Sequence, residues 1–577
     1  MTHFFKLLKS PGSWPLFRSD DRLLLIVLAV VVGTCSGTAA LLLNQGLEFM
    51  IARLQPFREY GWAIVLPGIG AALAAFFLNQ IVRENPGHGI PEVIDAVSQH
   101  GGQLRLRSSF SRLVSGCLTI GSGGSAGPEA PVVMSGAAIG SNIARFFSLN
   151  DRQRVALVGC GAAGAISAIF NAPIAGMVFT VEVILGEWTT LNVIPIAIAA
   201  VAGTELSRAL HGNQIAFAHR AFDIHFHDIL ACVGLAVFCA VISIVLSRSL
   251  RATHHYADRI PLPIWVRAFV GGCMVGGIGY VLPDILGEGY PGIRLAIDGG
   301  FPTGLLLVTG IALIKILSTA ITLGSGGSGG IFAPCLVVGA FTGLSFHRLI
   351  AAIWPGVPWV NEGCFALLGM AGLVSGVMQA PLTGMFLIVE VTGGYGVILP
   401  LIVVSTISTT ICHYVEFASF YLRDLVEQGK LLRMGTDARV LADLSVEEVM
   451  ETDCIRLNPH LRLVDLIDRV ENSVCDYFPV EDPNTGEFLG MIDLNKIRPY
   501  LFEPTMHHAV LVGQLMDSPV ETVSPDDDLA NVLKKMDDYR LFTLPVVSDG
   551  CFQGFISKVT LLDRYRQELR AQTPIHA

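Results

Sequence analysis

The chain has 577 residues, is 52% hydrophobic and only 15% charged, and carries a net charge of −10; its mean hydropathy is +0.58. Soluble domains run nearer a quarter charged, so this composition excludes an ordinary soluble protein and points to one built largely inside a bilayer. From Leu441 to the end the net charge is −12, which leaves about +2 on the first 440 residues, and an acidic tail of this kind excludes nucleic-acid binding, which needs a basic face.

The first apolar run, Leu23–Leu43, is too long for the core of a cleavable signal peptide. Lys6, Lys9, Arg18 and Arg22 precede it, which places residues 1–21 on the cytoplasmic side. Trp62–Val82 is a second span. Asn85–Glu92, NPGHGIPE, breaks the membrane sequence with glycine and proline. Asp95 to Arg112 is polar and mildly basic and reads as a surface connection. Leu113–Ile120 leads into Gly121–Pro131, GSGGSAGPEAP, whose only charge is Glu129. Val132–Phe147 follows, rich in the small residues that let membrane helices pack closely. Val155–Phe170 and Pro173–Leu185, split by Asn171-Ala172-Pro173, are each short for a simple span. Further apolar segments are Val193–Ala209, Ile229–Leu246, Val266–Leu282 and Leu305–Leu323. After a second glycine-rich stretch, Gly324–Pro334 (GSGGSGGIFAP), come Cys335–Leu349, Phe365–Met378, Pro381–Val391 and Val397–Cys412.

The two glycine-rich stretches match at Gly121/Gly324 through Ser125/Ser328, at Gly127/Gly330 and at Ala130-Pro131/Ala333-Pro334, an offset of 203 residues. A second pair, Ala172–Met177 ending in Val181-Glu182-Val183 and Ala380–Met385 ending in Val389-Glu390-Val391, repeats at an offset of 208. Two matches at nearly one spacing indicate a duplicated membrane unit, with repeats over about 22–211 and 228–426. Interrupted segments at corresponding positions of two halves point to a binding site near the bilayer midplane.

Charge returns beyond residue 427. Residues 427–444 read as a linker, and 445–502 and 510–570 as two similar soluble units. Each has a helix, a strand, a turn, a strand and a helix, FPVED and FLGMID in the first answering LPVVSDG and FQGFIS in the second. The twelve cysteines show no Cys-x-x-Cys spacing and read as small buried hydrophobes; no metal is expected.

In hydrocarbon every backbone polar group needs a partner, so a glycine- or proline-rich break survives only where it is buried or lines a cavity. Helix N-termini at such breaks present unpaired N–H groups and the positive end of the helix dipole. Several directed at one spot bind an anion without a buried Lys or Arg. The expected ligand is therefore a small inorganic anion held by backbone amides.

Four motifs in order resemble those of the CLC family of chloride channels and chloride/proton antiporters: GHGIP is similar to the family's GSGIP, GPEAP to GREGP, GGIFAP to GxFxP, and Ser419-Phe420-Tyr421 to S-x-Y. The tail resembles the tandem CBS domains of many members. The resemblance implies that Glu129 is the gate in the anion path, that the backbone N–H groups of Ile331 and Phe332 hold the central anion, and that Tyr421 supplies a hydroxyl at the inner end. His88 and Gly89 fall at the inner anion site, His88 in place of the usual serine. Pro128 and Ala130 replace the Arg and Gly that flank the gate. Val183 stands where typical antiporters carry an internal proton glutamate, as in channel members. Glu182 precedes it, but Glu390 occupies the same place in the other half, so Glu182 reads as structural. Glu187, a helical turn beyond Val183, is the alternative proton entry. In the tail, Ser557 and Asp493 are the candidates for binding an adenine nucleotide, although Thr560 and Lys496 stand where the family's ribose motif has Asp.

The expectation is an all-α polytopic membrane protein of two inverted repeats with broken helices, followed by a small α/β tandem CBS domain. It is a chloride-conducting homodimer in the bilayer, in the cell inner membrane with both termini cytoplasmic. Val183 favours channel-like conduction; the alternative is a chloride/proton antiporter using another internal proton route. A reading of a different class is a CBS nucleotide-sensing module on a membrane anchor. An enzyme is not expected: no Lys-Ser/Thr follows GSGGS, so it is not a phosphate loop. No cofactor other than an adenine nucleotide is implied.

Overall fold

The computed structural model describes residues 21–58, 61–84, 89–213, 217, 222, 224–298, 304–428, 441, 444–471, 473, 475–518 and 520–572. The chain divides into two compact units, Met1–Leu431 and Leu432–Ala577.

The first unit is all helical, and among its described residues eight helices are long and apolar enough to cross a membrane. Asp21–Arg58 opens it with 38 residues. At 1.5 Å per residue this far exceeds the roughly 30 Å of bilayer hydrocarbon, so the helix runs well past the apolar stretch that announces it. Trp62–Val82 is an interrupted element: a short 3-10 turn Gly61–Ile64, an α-helix Leu66–Phe76 and a π-turn Phe77–Val82. Asp151–Phe170 is one 20-residue helix, longer than its apolar core, because Asn150 and Gln153 close a capping box ahead of it. Pro173–Phe179 continues as a π-turn Thr180–Leu185.

The segment Asp95–Arg112 is a surface connection only in its middle, where residues 100–107 form a largely exposed turn. Ile90–Gln99 and Ser108–Gly121 are helices, and Ser108, Ser111 and Arg112 are buried. Their polarity is satisfied internally. Ser108 and Ser111 donate to Glu84 at 2.5 and 3.0 Å, and Arg112 donates to Glu92 at 3.1 Å. A polar composition signals exposure only when such partners are missing.

The duplication is visible as paired hydrogen bonds about a pseudo-two-fold axis. The glycine-rich turns meet in a two-residue antiparallel bridge, Gly127 N–H to Gly330 O at 2.8 Å and Gly330 N–H to Gly127 O at 2.7 Å. Ser125 N–H donates to Thr322 Oγ1 at 3.1 Å, and its counterpart Ser328 N–H donates to Thr119 Oγ1 at 3.2 Å. The second repeat pair is exchanged in the same way. Glu182 accepts from Leu382 N–H (3.1 Å), Thr383 N–H (2.7 Å) and the Thr383 hydroxyl (2.7 Å), while Glu390 accepts from Ile174 N–H (3.0 Å) and Ala175 N–H (2.7 Å). Each carboxylate thus caps the N-terminus of a helix in the other half, Pro381–Thr392 and Pro173–Phe179 respectively. Negative charge on unpaired helix-terminal N–H groups is stabilising, which accounts for an acid in both copies of an apolar segment.

The second unit contains two similar α/β parts. The strands β1 (Tyr477–Glu481) and β2 (Phe488–Asp493) pair antiparallel, as do β3 (Thr543–Ser548) and β4 (Cys551–Ser557). The helices Leu463–Glu471 and Leu494–Leu501 accompany the first pair, and Leu529–Asp538 and Lys558–Gln572 the second. Each part has its own apolar core, Phe478, Val480 and Ile492 in one and Leu544, Val546 and Ile556 in the other. They join through Phe488, stacked 5.8 Å from Phe552, and through reciprocal Glu451–Phe555 and Met491–Asp517 backbone contacts.

Candidate functional site

Glu129 is the first residue of the helix Glu129–Phe146 and is fully buried. Its position follows from the Gly127–Gly330 bridge immediately before it. The carboxylate turns back over that bridge, so that a Cβ added to Gly127 would lie 2.0 Å from Glu129 Oε2 and 3.0 Å from Ala333 Cβ. A side chain there would displace the Glu129 carboxylate, the movable end of which is the nearest group. Oε1 accepts a hydrogen bond from the Tyr290 hydroxyl at 3.2 Å; Oε2 makes none of standard geometry among the described residues, though the carboxylate lies close to the Glu129 and Ala333 N–H groups. A buried carboxylate oxygen without a donor is costly in a packed interior and marks a group whose function needs it to change partners.

In the facing repeat the same place is taken by Phe332, first residue of the helix Phe332–Ile353, with Ile331 as its N-cap; both are buried. The Phe332 ring is held between Phe170 (centroids 5.4 Å) and Phe179 (6.0 Å, edge-on). This leaves the backbone of Ile331-Phe332, not a polar side chain, to present donors at the helix start. Tyr421 lies in the turn after Val415, fully buried, and its hydroxyl has no hydrogen-bond partner among the described residues. It lies near Cys335 and is close enough to Glu129 to interact electrostatically with it. Two polar side-chain atoms without partners, Glu129 Oε2 and Tyr421 Oη, therefore share one apolar region with two helix N-termini. That arrangement suits a small anion, which a hydroxyl and amide donors hold and a carboxylate displaces.

Gly89 is the N-cap of Ile90–Gln99, with φ +82°, and a Cβ there would be 3.2 Å from both Ala130 O and Met134 Cβ of the Glu129 helix. His88 lies outside the described residues. Val183 is buried in the π-turn, and the carboxylate of Glu182 is engaged by the three donors above. Glu187 sits beyond that turn in a loop, half-buried, and burial holds its carboxyl above the usual range. In the tail, Ser557 and Asp493 are engaged locally. Asp493 caps the helix Leu494–Leu501 through Asn495 N–H at 2.9 Å, and Ser557 bonds Thr560 Oγ1 at 2.8 Å and reaches Glu451 at 3.4 Å.

Tyr290 and two charged neighbours are the residues that motif reading missed. Lys315, fully buried on the helix Leu305–Gly324, donates to Ile285 O at 2.8 Å and Gly287 O at 2.9 Å. It thereby fixes the turn that carries Glu288 and Tyr290, and Glu288 lies within electrostatic reach of both Lys315 and Glu129. The signal was present: Gly287-Glu288-Gly289-Tyr290-Pro291 answers Gly87–Pro91 at an offset of 200, and Lys315 answers Arg112 at 203.

The family model described as voltage gated chloride channel matches residues 70–413, and that of the CBS domain matches residues 512–566. The chain belongs to the CLC family. It is 31% identical over 391 residues to a putative chloride channel protein ClcB-like of Ralstonia nicotianae, covering 66% of this chain and 89% of that one. It is 32% identical over 402 residues to the H(+)/Cl(-) exchange transporter ClcA of Vibrio cholerae serotype O1, covering 66% and 83%. Among solved structures it resembles in fold a slow cyanobacterial Cl-/H+ antiporter, with TM-score 0.64, 23% identity and 71% and 98% of the two chains covered. It also resembles a eukaryotic CLC transporter, with TM-score 0.62, 17% identity and 93% and 98% covered. This CLC protein is thus an integral membrane protein of the bacterial type with a CBS-bearing tail, and its function belongs to CLC chloride transport.

Proposed function

We propose that this protein conducts chloride passively, with the anion held by the N–H groups of Ile331 and Phe332 and the hydroxyl of Tyr421, and with Glu129 as the gate that Tyr290 latches in the blocking position. The observation that carries the channel-like reading is the pair Val183 and Glu182. The position where an internal proton carrier is expected holds a buried valine, and the adjacent acid is committed to capping the opposite repeat. His88 shapes the inner anion site. The test is chloride flux in liposomes set against a proton gradient: passive conduction gives chloride movement with no uphill proton movement.

A second reading is coupled exchange, favoured by the Vibrio cholerae relative, which is named an H(+)/Cl(-) exchange transporter. In that case Glu187 is the internal proton entry, and E187Q abolishes proton movement while sparing chloride flux. In either case the working unit is a homodimer in the inner membrane with both termini cytoplasmic. The tail regulates the pore, with Ser557 and Asp493 toward an adenine nucleotide. Calorimetry with ATP, ADP and AMP on the full chain tests that last role; absence of heat removes it.

A further inference from the structure

His225, His227 and Asp228 lie at the start of the helix Phe226–Asp258, far in sequence from every residue used above. Their ligand atoms all lie within 4.8 Å of one another. Asp228 is buried, His227 partly so and His225 exposed. His225 Nδ1 is 3.8 Å from Asp228 Oδ2, and His227 Nε2 is 3.7 Å from Asp228 Oδ1. Both separations are too long for a hydrogen bond. They exceed by about 0.5 Å the roughly 3.3 Å between ligands of a tetrahedral zinc ion with bonds near 2.0–2.1 Å, and the exposed His225 ring must move in to close the wider gap, up to 4.8 Å, within the cluster.

The cluster is held from outside as well as within. Asp228 Oδ1 accepts Val360 N–H at 3.1 Å and Oδ2 accepts His225 N–H at 2.9 Å, which fixes the carboxylate while leaving its other lone pairs toward the imidazoles. The two imidazoles stack at 5.3 Å, and Trp359 packs edge-on against His227 at 5.5 Å, setting its ring plane. His227 Nε2 lies 3.0 Å from Pro358 O. On the adjacent helix His347 lies close to the Val360 backbone and near enough to Asp228 to interact electrostatically with it.

We infer that His225, His227 and Asp228 bind a divalent cation of the zinc class. Two imidazoles and one carboxylate are the ligand set of open zinc sites, and the remaining position falls to water or to Pro358 O. Binding through Nε2 takes the neutral His227 ring in the tautomer that carries its one proton on Nδ1, so the hydrogen bond to Pro358 O gives way and no net proton is lost. With Pro358 O as the fourth ligand the ion would tie the first turn of the second repeat to the segment that leads into the helix Glu362–Met378, a link that Asp228 already makes through Val360 N–H.

The test uses tag-free, full-length protein in detergent, stripped with a chelator and titrated with Zn2+ against a chromophoric competitor. The chain has 15 histidines, so the readout is a difference. Wild type is expected to bind one Zn2+ per chain more than the His225→Ala/His227→Ala double variant, or to lose at least tenfold in affinity at that one site on mutation. Zn2+ should raise the melting temperature of wild type and not of the variant. Equal stoichiometry and affinity in the two proteins would overturn the assignment. If the double variant does not fold, His225→Ala alone removes an exposed ligand, and Co2+ absorbance in the visible, present in wild type and lost in the variant, decides the matter; an unchanged spectrum overturns it.

Discussion

Tyr290→Phe isolates the latch on Glu129. The substitution removes the hydroxyl that donates to Oε1 at 3.2 Å and keeps the ring that packs edge-on against Phe217 at 5.9 Å. Hydrogen bonds to charged groups contribute about 1.5–3 kcal/mol, but short O–H···O⁻ bonds run near 2.5–2.7 Å. At 3.2 Å and with a partly exposed donor, about 1 kcal/mol is the appropriate figure, and since about 1.4 kcal/mol is tenfold in an equilibrium, the gate shifts roughly 5-fold toward the displaced position. The assay is the initial rate of chloride efflux from proteoliposomes. Y290F should raise it several-fold, and Y290F added to E129A should change nothing further, because the latch acts only through the carboxylate. An unchanged rate in Y290F, or an equal gain on the E129A background, would refute the latch.

Gly127→Ala places a methyl group 2.0 Å from Glu129 Oε2, so the carboxylate must leave; flux should approach that of E129A, and a wild-type rate in a folded protein would contradict the packing. Glu182→Gln and Glu390→Gln each remove a charge from a cap in the opposite repeat. A glutamine keeps one acceptor oxygen, so each variant loses the charge and at least one of these contacts; each should lower the melting temperature by the equivalent of about 1–2 kcal/mol. Glu416 is shared by Arg248 (2.7 Å), Arg251 (2.9 Å) and Arg423. Burial alone would raise its carboxyl, but the three arginines hold it below the usual 4.5. Its stabilising contribution is therefore complete above pH 4.5 and lost as pH falls through the lowered value, so E416Q should be less stable at neutral pH and its deficit should shrink in acid. A deficit independent of pH would show that the ion pairs are not its cause.

The fold was legible where the duplication left two copies to compare. Matching GSGGS stretches announced two related halves, and an acid at both Glu182 and Glu390 announced a structural role that one copy alone would not. The ends of elements were not legible, because hydropathy stops before the helix does: Asp21–Arg58 runs on through Glu48 and Arg53. Asp95–Arg112 misled for a related reason, since its serines and Arg112 find partners in Glu84 and Glu92, which no local window contains. At the site, Glu129 stood out as a lone acid in apolar sequence. Tyr290 did not, because its motif has diverged from GHGIP at the two positions, Glu288 and Tyr290, that give it its chemistry.

The most direct test of passive conduction is proton movement in liposomes loaded with high chloride and diluted into low chloride, with no ionophore for protons. The account expects chloride to leave, on dissipation of the membrane potential with a potassium ionophore, without uphill proton entry, and it expects Glu129→Ala to raise that flux. Sustained uphill proton entry in fixed ratio to chloride exit, abolished by E129A, would contradict it.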